Sequence, residues 1–155
     1  MNEPDTTPES GPVRYFTSDH RRCDESWASV EQAAESGDPA QAKAALESFD
    51  KAMQRHLDME EQVLFPALEQ ATGMRGGPTF VMRAEHVQMR GVLGQMGSAA
   101  TRGDWDGVLD LGDTLMILIQ QHNMKEEGML YPMAEHHLRD EWREVASRLE
   151  RFGTA

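Results

Sequence analysis

The sequence predicts an all-α protein: an antiparallel, up-down-up-down four-helix bundle closed by a short C-terminal helix. Three observations predict it. Most segments space Ala, Leu, Met, Glu, Gln and Arg at helical intervals, and no Asn-Gly or Asp-Gly turn joins two alternating runs. Breaks rich in Gly, Asp and Pro, at Gly37-Asp38-Pro39, Gly73 to Pro78 and Gly103-Asp104, cut the chain into helix-sized pieces. The sequence also repeats itself at an offset of 66 residues.

Residues 1–14 contain Pro4, Pro8 and three acids but no apolar run, so they read as a disordered tail without the hydrophobic segment of a secretory signal. Residues 15–155 form the single predicted domain. The first helix is expected to start near Thr17 or Ser18 as N-cap and to end near Glu35. Asp38 then supplies a capping carboxylate and Pro39 the first position of a long second helix that passes Leu46, Phe49, Met53 and His56 towards Leu68. Pro66 lies within its last turns and should kink or loosen it, because proline removes a backbone donor. The third helix is expected from Thr79 to about Ala100. Its Gly91, Gly94 and Gly97 either allow close packing against a neighbour or mark a helix of low intrinsic stability. Asp104 opens the fourth helix, which passes Trp105, Leu109, Leu115, Ile119 and His122 and meets Pro132. Trp142, Val145, Ala146, Leu149 and Phe152 form the amphipathic stripe of a short fifth helix.

The repeat organises these elements. Shifted by 66, His20 falls on His86, His56 on His122, Glu60 on Glu126, Glu61 on Glu127, Leu64 on Leu130, Phe65 on Tyr131, Pro66 on Pro132 and Glu69 on Glu135. The Gly37-Asp38 break falls on Gly103-Asp104. Six histidines placed at random would give roughly 0.1 coincident pair at any one offset, whereas two pairs coincide here. Each half is therefore a helical hairpin with one histidine on its first helix and His-x-x-x-Glu on its second, the two halves related by approximate two-fold symmetry.

Composition excludes several function classes. With 15 Lys and Arg against 27 Asp and Glu, the net charge of −12 repels phosphate backbones and anionic lipid surfaces, so neither nucleic acid nor membrane is an expected partner. The longest apolar burst, Leu115 to Ile119, is far too short to span a bilayer. Cys23 is the only cysteine, which rules out an internal disulfide, a zinc ribbon or a thiolate-bound cluster within one chain and fits a reducing, cytoplasmic location.

On a helix, residues four apart lie about 40° apart in rotation, so His56 and Glu60 share one face, as do His122 and Glu126. Adding His20 and His86 gives four imidazoles and two carboxylates, a set that suits iron, manganese or zinc, and carboxylates that bridge would hold a pair of ions. Glu61 and Glu127 lie one residue further round, about 140° from the histidines, and read as solvated or as supports to the ligands. The Glu-x-x-His spacing of ferritin-like sites is absent, since Thr17, Met53, Arg83 and Ile119 stand three residues before the four histidines. No His-Glu-x-x-His motif and no phosphate-binding glycine loop occurs. Cys23, whose repeat counterpart is Met89, reads as a packing residue; Tyr131 is either a redox or hydrogen-bonding neighbour of the site or, since Phe65 stands opposite it in the repeat, a packing residue, the reading preferred; His136 and His137 have no repeat partners and read as surface residues.

The series His20, His56-Leu57-Asp58-Met59-Glu60-Glu61 with Leu64-Phe65-Pro66, Glu85-His86, and His122-Asn123-Met124-Lys125-Glu126-Glu127 with Leu130-Tyr131-Pro132 resembles the hemerythrin, or HHE cation-binding, family. The resemblance runs from about Tyr15 to His137. It implies a non-haem di-iron centre, bridged by carboxylates and an oxo or hydroxo group, that meets dioxygen, nitric oxide or hydrogen peroxide. His20 and His122 would serve one iron, His56 and His86 the other, with Glu60 and Glu126 bridging. Oxygen-carrying members have two histidines four apart on the third helix, where this chain has Met82 and Arg90 flanking His86. The remaining set resembles that of hemerythrin-like proteins with nitric oxide or peroxide chemistry and of proteins linked to repair of damaged iron centres. The expected functions are therefore reaction with, or sensing of, a small oxidant, which as an oxidoreductase would need an external reductant protein; the alternative is iron storage or donation.

Overall fold

The computed structural model describes residues 6–153, so Met1 to Asp5 of the expected tail lie outside the described residues. Among the described residues the chain is helical, without strands. Helix α1 spans Pro12–Glu35 and α2 spans Pro39–Met59; a π-helical turn, Glu60–Leu64, leads into α3, Phe65–Thr72. The second half repeats the plan: α4 spans Pro78–Thr101, α5 spans Trp105–Lys125, a second π-helical turn covers Glu126–Leu130, and α6 spans Tyr131–His137. Helix α7, Trp142–Leu149, closes one end. The predicted four long helices and short fifth are thus present, with the second and fourth each divided in two.

The first helix starts earlier than expected. Its N-cap is Gly11, at φ +102°, and Pro12 occupies the first helical position, so Thr17 and Ser18 lie inside the helix and cap nothing. A proline with its pre-set φ opens a helix well, and the longer helix buries Tyr15 and Phe16, which fully exposed side chains at a frayed start would not do. Just before it, Pro8–Ser10 form a 3₁₀ turn, and the Pro8 carbonyl accepts a 2.8 Å hydrogen bond from Trp142 Nε1 on α7. Asp38 and Asp104 cap the helices predicted for them: Asp38 accepts from the amides of Ala40 and Gln41, Asp104 from that of Gly107.

The prolines loosen the helices one turn upstream of themselves. Phe65 N–H bonds to the Glu60 carbonyl and Tyr131 N–H to the Glu126 carbonyl, five residues back rather than four. In that register Pro66 has no proton to offer the Glu61 carbonyl, and Arg83 Nη1 donates to it instead, at 3.3 Å. Both π turns therefore begin on Glu60 and Glu126, the carboxylates of the two His-x-x-x-Glu pairs.

Two apolar clusters fill the interior, one on each side of a polar layer. Towards α7, Tyr15, Phe16, Leu64, Phe65, Leu130, Tyr131, Trp142 and Leu149 pack together. On the other side Cys23, Trp27, Phe49, Met53, Met89, Met96 and Leu115 do so. Gly112 permits the second cluster's closest approach: a Cβ there would stand 2.0 Å from Trp27 Cη2. Gly91, Gly94 and Gly97 do not pack closely, since a Cβ on any of them would meet nothing within 4 Å. Of the two readings of those glycines, close packing fails. A groove of about 670 Å³ between α2 and α4, lined by Leu46, Leu93 and Trp105 among others, holds none of the predicted site residues.

Candidate metal centre

The polar layer between the two apolar clusters is made of the residues that the repeat singles out. His20 on α1, His56 on α2, His86 on α4 and His122 on α5 are each no more than 5% exposed, and Glu60 and Glu126 are fully buried. Helix α1 and α2 present their faces by the i, i+3, i+4 rule, and α4 and α5 repeat them, so the six side chains meet at one level of the bundle.

Their ring orientations are uniform. Each histidine turns Nδ1 outward to a carboxylate: His56 donates to Asp19 Oδ2 at 2.7 Å, His122 to Glu85 Oε1 at 2.8 Å, His20 to Glu127 Oε2 at 2.9 Å and His86 to Glu61 Oε2 at 3.1 Å. A proton held on Nδ1 leaves the lone pair on Nε2, and all four Nε2 atoms point inward. Glu126 Oε1 lies 3.1 Å from Nε2 of both His20 and His122, and Glu60 Oε1 lies 3.1 Å from that of His56 and 3.3 Å from that of His86. Each carboxylate thus touches the two histidines that the resemblance assigns to one ion. The rings themselves pair within hairpins, His20 with His56 at 4.7 Å between centroids and His86 with His122 at 4.8 Å. Donor atoms close enough to share one ion likewise group the histidines within hairpins, as Glu60, His86, His122 and Glu126 and as His20, His56 and Glu126, and not in the pairs that the resemblance implies.

The cluster holds more acceptors than donors. His56 Nε2, Glu60 Oε1 and Glu126 Oε2 are buried without a hydrogen-bond partner, and His86 Nε2 faces His122 Nε2 at 3.2 Å. Two imidazole lone pairs cannot share that distance unless a proton or a cation lies between them. A buried set of inward lone pairs surrounded by six carboxylates is stabilised by positive charge. Without metal that charge comes from protons. Burial opposes the charged form of His56, but Glu60 and Asp19 outweigh it and raise its pKa well above the ordinary value; the same contest, won by Glu60 and Glu61, raises His86 to about 9. Burial pushes Glu60 up, yet the charge on His56 holds it well below the usual carboxylate range. Asp19, also opposed by burial, is held down to about 2 by His56, Arg22 and Arg55. The donor set fits divalent or trivalent cations that accept mixed nitrogen and oxygen ligands, and such ions would replace these protons.

Two residues were missed or misread from sequence, Asp19 and Tyr131. Asp19 escaped notice altogether, although the repeat marks it: an acid precedes each first-helix histidine, as Asp19-His20 and Glu85-His86. Of the two readings of Glu61 and Glu127, support to the histidines holds, since each orients a ring. Tyr131 is no simple packing residue. Its hydroxyl donates to Glu60 Oε2 at 2.8 Å and lies 3.0 Å from both Glu126 Oε1 and His20 Nε2. Burial and the two carboxylates raise its pKa well above the ordinary value, so the proton stays on the phenol. Phe65, its repeat counterpart, packs beside His86 and offers no hydroxyl, which breaks the two-fold symmetry of the layer.

Cys23 stands apart from the ligand set, as expected. It lines a small cavity with Met53, Leu57, Met89 and Ile119, bounded above by His20, His56 and His122, with about 10 Å³ of free space. Burial pushes the thiol up to about 11, so it remains protonated and unreactive at neutral pH. His136 and His137 are exposed and pack edge-on against each other. No helix among the described residues is long and apolar enough to cross a membrane.

No curated protein and no solved structure matches this chain. The model of the hemerythrin HHE cation-binding domain does match, over residues 11–134, the stretch that contains both hairpins and every residue of the buried layer. The chain belongs to the hemerythrin HHE cation-binding family.

Proposed function

We propose that the protein holds two iron ions with His20, His56, Glu60, His86, His122 and Glu126 and uses them to bind and react with, or sense, a small oxidant: dioxygen, nitric oxide or hydrogen peroxide. The observation that carries this reading is the convergence of four inward Nε2 atoms and two buried carboxylates, with Tyr131 as the one hydroxyl donor among them. Bound iron supplies one-electron chemistry and coordination positions left open by the protein.

The protein's own groups act on either side of those ions. Asp19, Glu61, Glu85 and Glu127 keep the four rings in one tautomer and strengthen Nε2 as a ligand. The Tyr131 hydroxyl holds a proton between Glu60 and Glu126, in reach of a group bound beside either. The cavity under His20, His56 and His122 has space on the order of a single water, so room on that side of the histidines is confined to small molecules. Iron storage or donation, the alternative, would require the ions to leave through a shell in which all six donors are at most 5% exposed; burial favours retention.

Elemental analysis of anaerobically purified protein, wild type and Glu60→Ala, tests the reading. About two irons per chain, a near-ultraviolet absorption that grows on exposure to air, and loss of both in the variant are expected for a carboxylate-bridged pair. Nitric oxide and peroxide consumption with a supplied reductant then separates enzyme from sensor. One metal or fewer per chain, or a variant that keeps its iron, would show the layer to be structural.

A further inference from the structure

We infer that the Tyr131 hydroxyl makes the two ion positions unequal, so that the position beside His86 fills first and the position beside His20 fills second and more weakly. The inference rests on the proposed pair of ions and adds an order of filling to it. The internal repeat provides the comparison. Tyr131 and Phe65 are both fully buried, and each directly follows a π turn that begins on a glutamate of the layer. The centroids of the Tyr131 and His20 rings are 5.5 Å apart with 34° between their planes; those of Phe65 and His86 are 5.5 Å apart with 33°. The two aromatic rings hold the same place in their own halves, and the hydroxyl is what one half has and the other lacks. His20 and His86 serve different ions however the four histidines pair, because the grouping within hairpins and the pairing that the resemblance implies both separate them.

The hydroxyl changes what an arriving cation meets. It lies 3.0 Å from His20 Nε2 and 3.0 Å from Glu126 Oε1, the carboxylate oxygen that stands 3.1 Å from that nitrogen, and it donates to Glu60 Oε2 at 2.8 Å. The acceptors beside His20 thus have a polar hydrogen among them before any ion arrives. Beside His86 they do not. There Nε2 faces the Nε2 of His122 at 3.2 Å, and the adjacent carboxylate oxygen, Glu60 Oε1 at 3.3 Å, is buried without a hydrogen-bond partner. A cation beside His86 relieves acceptors that the fold leaves unsatisfied, whereas one beside His20 enters a space from which the hydroxyl must first withdraw its bonds. Giving up one hydrogen bond to a buried carboxylate separates the two affinities by about tenfold or more.

Zinc, which has no redox chemistry, tests the order when titrated into the metal-free full chain against a chromophoric chelator. Wild type is expected to take two zinc ions in two steps about tenfold or more apart. His20→Ala should remove the weaker step, and His86→Ala the tighter one. Tyr131→Phe should bring the two steps within about threefold of each other. Exchanging the rings, Tyr131→Phe with Phe65→Tyr, should restore the gap and reverse which histidine variant loses the tighter step, a reversal that a packing role for either ring would not produce. If the exchanged chain fails to fold, Tyr131→Phe decides alone. Two equal steps in wild type, or a gap that Tyr131→Phe leaves unchanged or widens, overturn the inference and leave the proposed pair of ions standing. Fewer than two zinc ions per wild-type chain overturn both.

Discussion

Replacing Asp19 by Asn tests whether the carboxylates behind the histidines tune the metal centre. Asp19 is 1% exposed and accepts from His56 Nδ1 at 2.7 Å, with Arg22 Nη2 at 2.8 Å and Arg55 Nη1 at 3.3 Å on its other oxygen. The Asn variant keeps the shape but removes the charge, and its amide can rotate to present N–H to Nδ1 and force the wrong tautomer. Losing such a support typically lowers metal affinity by about 10- to 100-fold, or about 1.4–2.7 kcal/mol. The repeat supplies the internal control: Glu85→Gln alters the equivalent bond to His122, but the Glu85 side chain is 24% exposed, so water can stand in, and a loss of about threefold or less is expected. Competition titrations of metal against a chromophoric chelator at fixed pH would rank the variants, with urea unfolding of the metal-free forms to separate affinity from stability. A D19N protein that binds within about twofold of wild type, or an E85Q protein that loses as much as D19N, would refute the role given to buried charge.

Stability and metal affinity should depend on pH in opposite directions. His86 is raised to about 9 and His56 in the same direction, so their stabilisation of the metal-free fold is complete below an unfolded pKa of about 6.5 and disappears as pH rises to about 9; for His86 alone this is about 3 kcal/mol. Asp19, lowered to about 2, contributes about 2 kcal/mol above an unfolded pKa of about 3.9 that is lost as pH falls towards 2. The metal-free protein should therefore be most stable between about pH 4 and 6.5, while metal affinity climbs from 6.5 to 9 as protons leave Nε2. Urea midpoints that rise across the latter interval would contradict the assignment. Packing makes a separate prediction: Gly112→Ala drives a methyl into the buried Trp27 ring and should cost about 1–3 kcal/mol, whereas Gly94→Ala, facing open space in mid-helix, should gain about 0.5–1 kcal/mol. Thermal unfolding of the two variants checks both signs.

The cluster of buried histidines and glutamates was legible because its information is periodic. His-x-x-x-Glu puts two donors on one helical face whatever surrounds it, and repetition at an offset of 66 residues required two hairpins to present that face to each other. Helix caps at Asp38 and Asp104 and the effect of Pro66 and Pro132 were legible for the same reason, since each acts within one turn of itself. The start of α1 was misplaced because Thr17 and Ser18 are capping residue types, whereas burial of Tyr15 and Phe16 against the rest of the bundle carries the helix back to Pro12.

Only the tertiary structure could decide what lies behind and between the ligands. Asp19 reaches His56 across 37 residues and Glu127 reaches His20 across 107, distances over which sequence spacing carries no geometry. Tyr131 and Phe65 are equivalent in the repeat and similar in size, and their difference matters only because the Tyr131 hydroxyl ends in a dry pocket beside two carboxylates. Local spacing determines which side chains share a helical face; which side chains share a site depends on contacts between helices, and those are settled by packing.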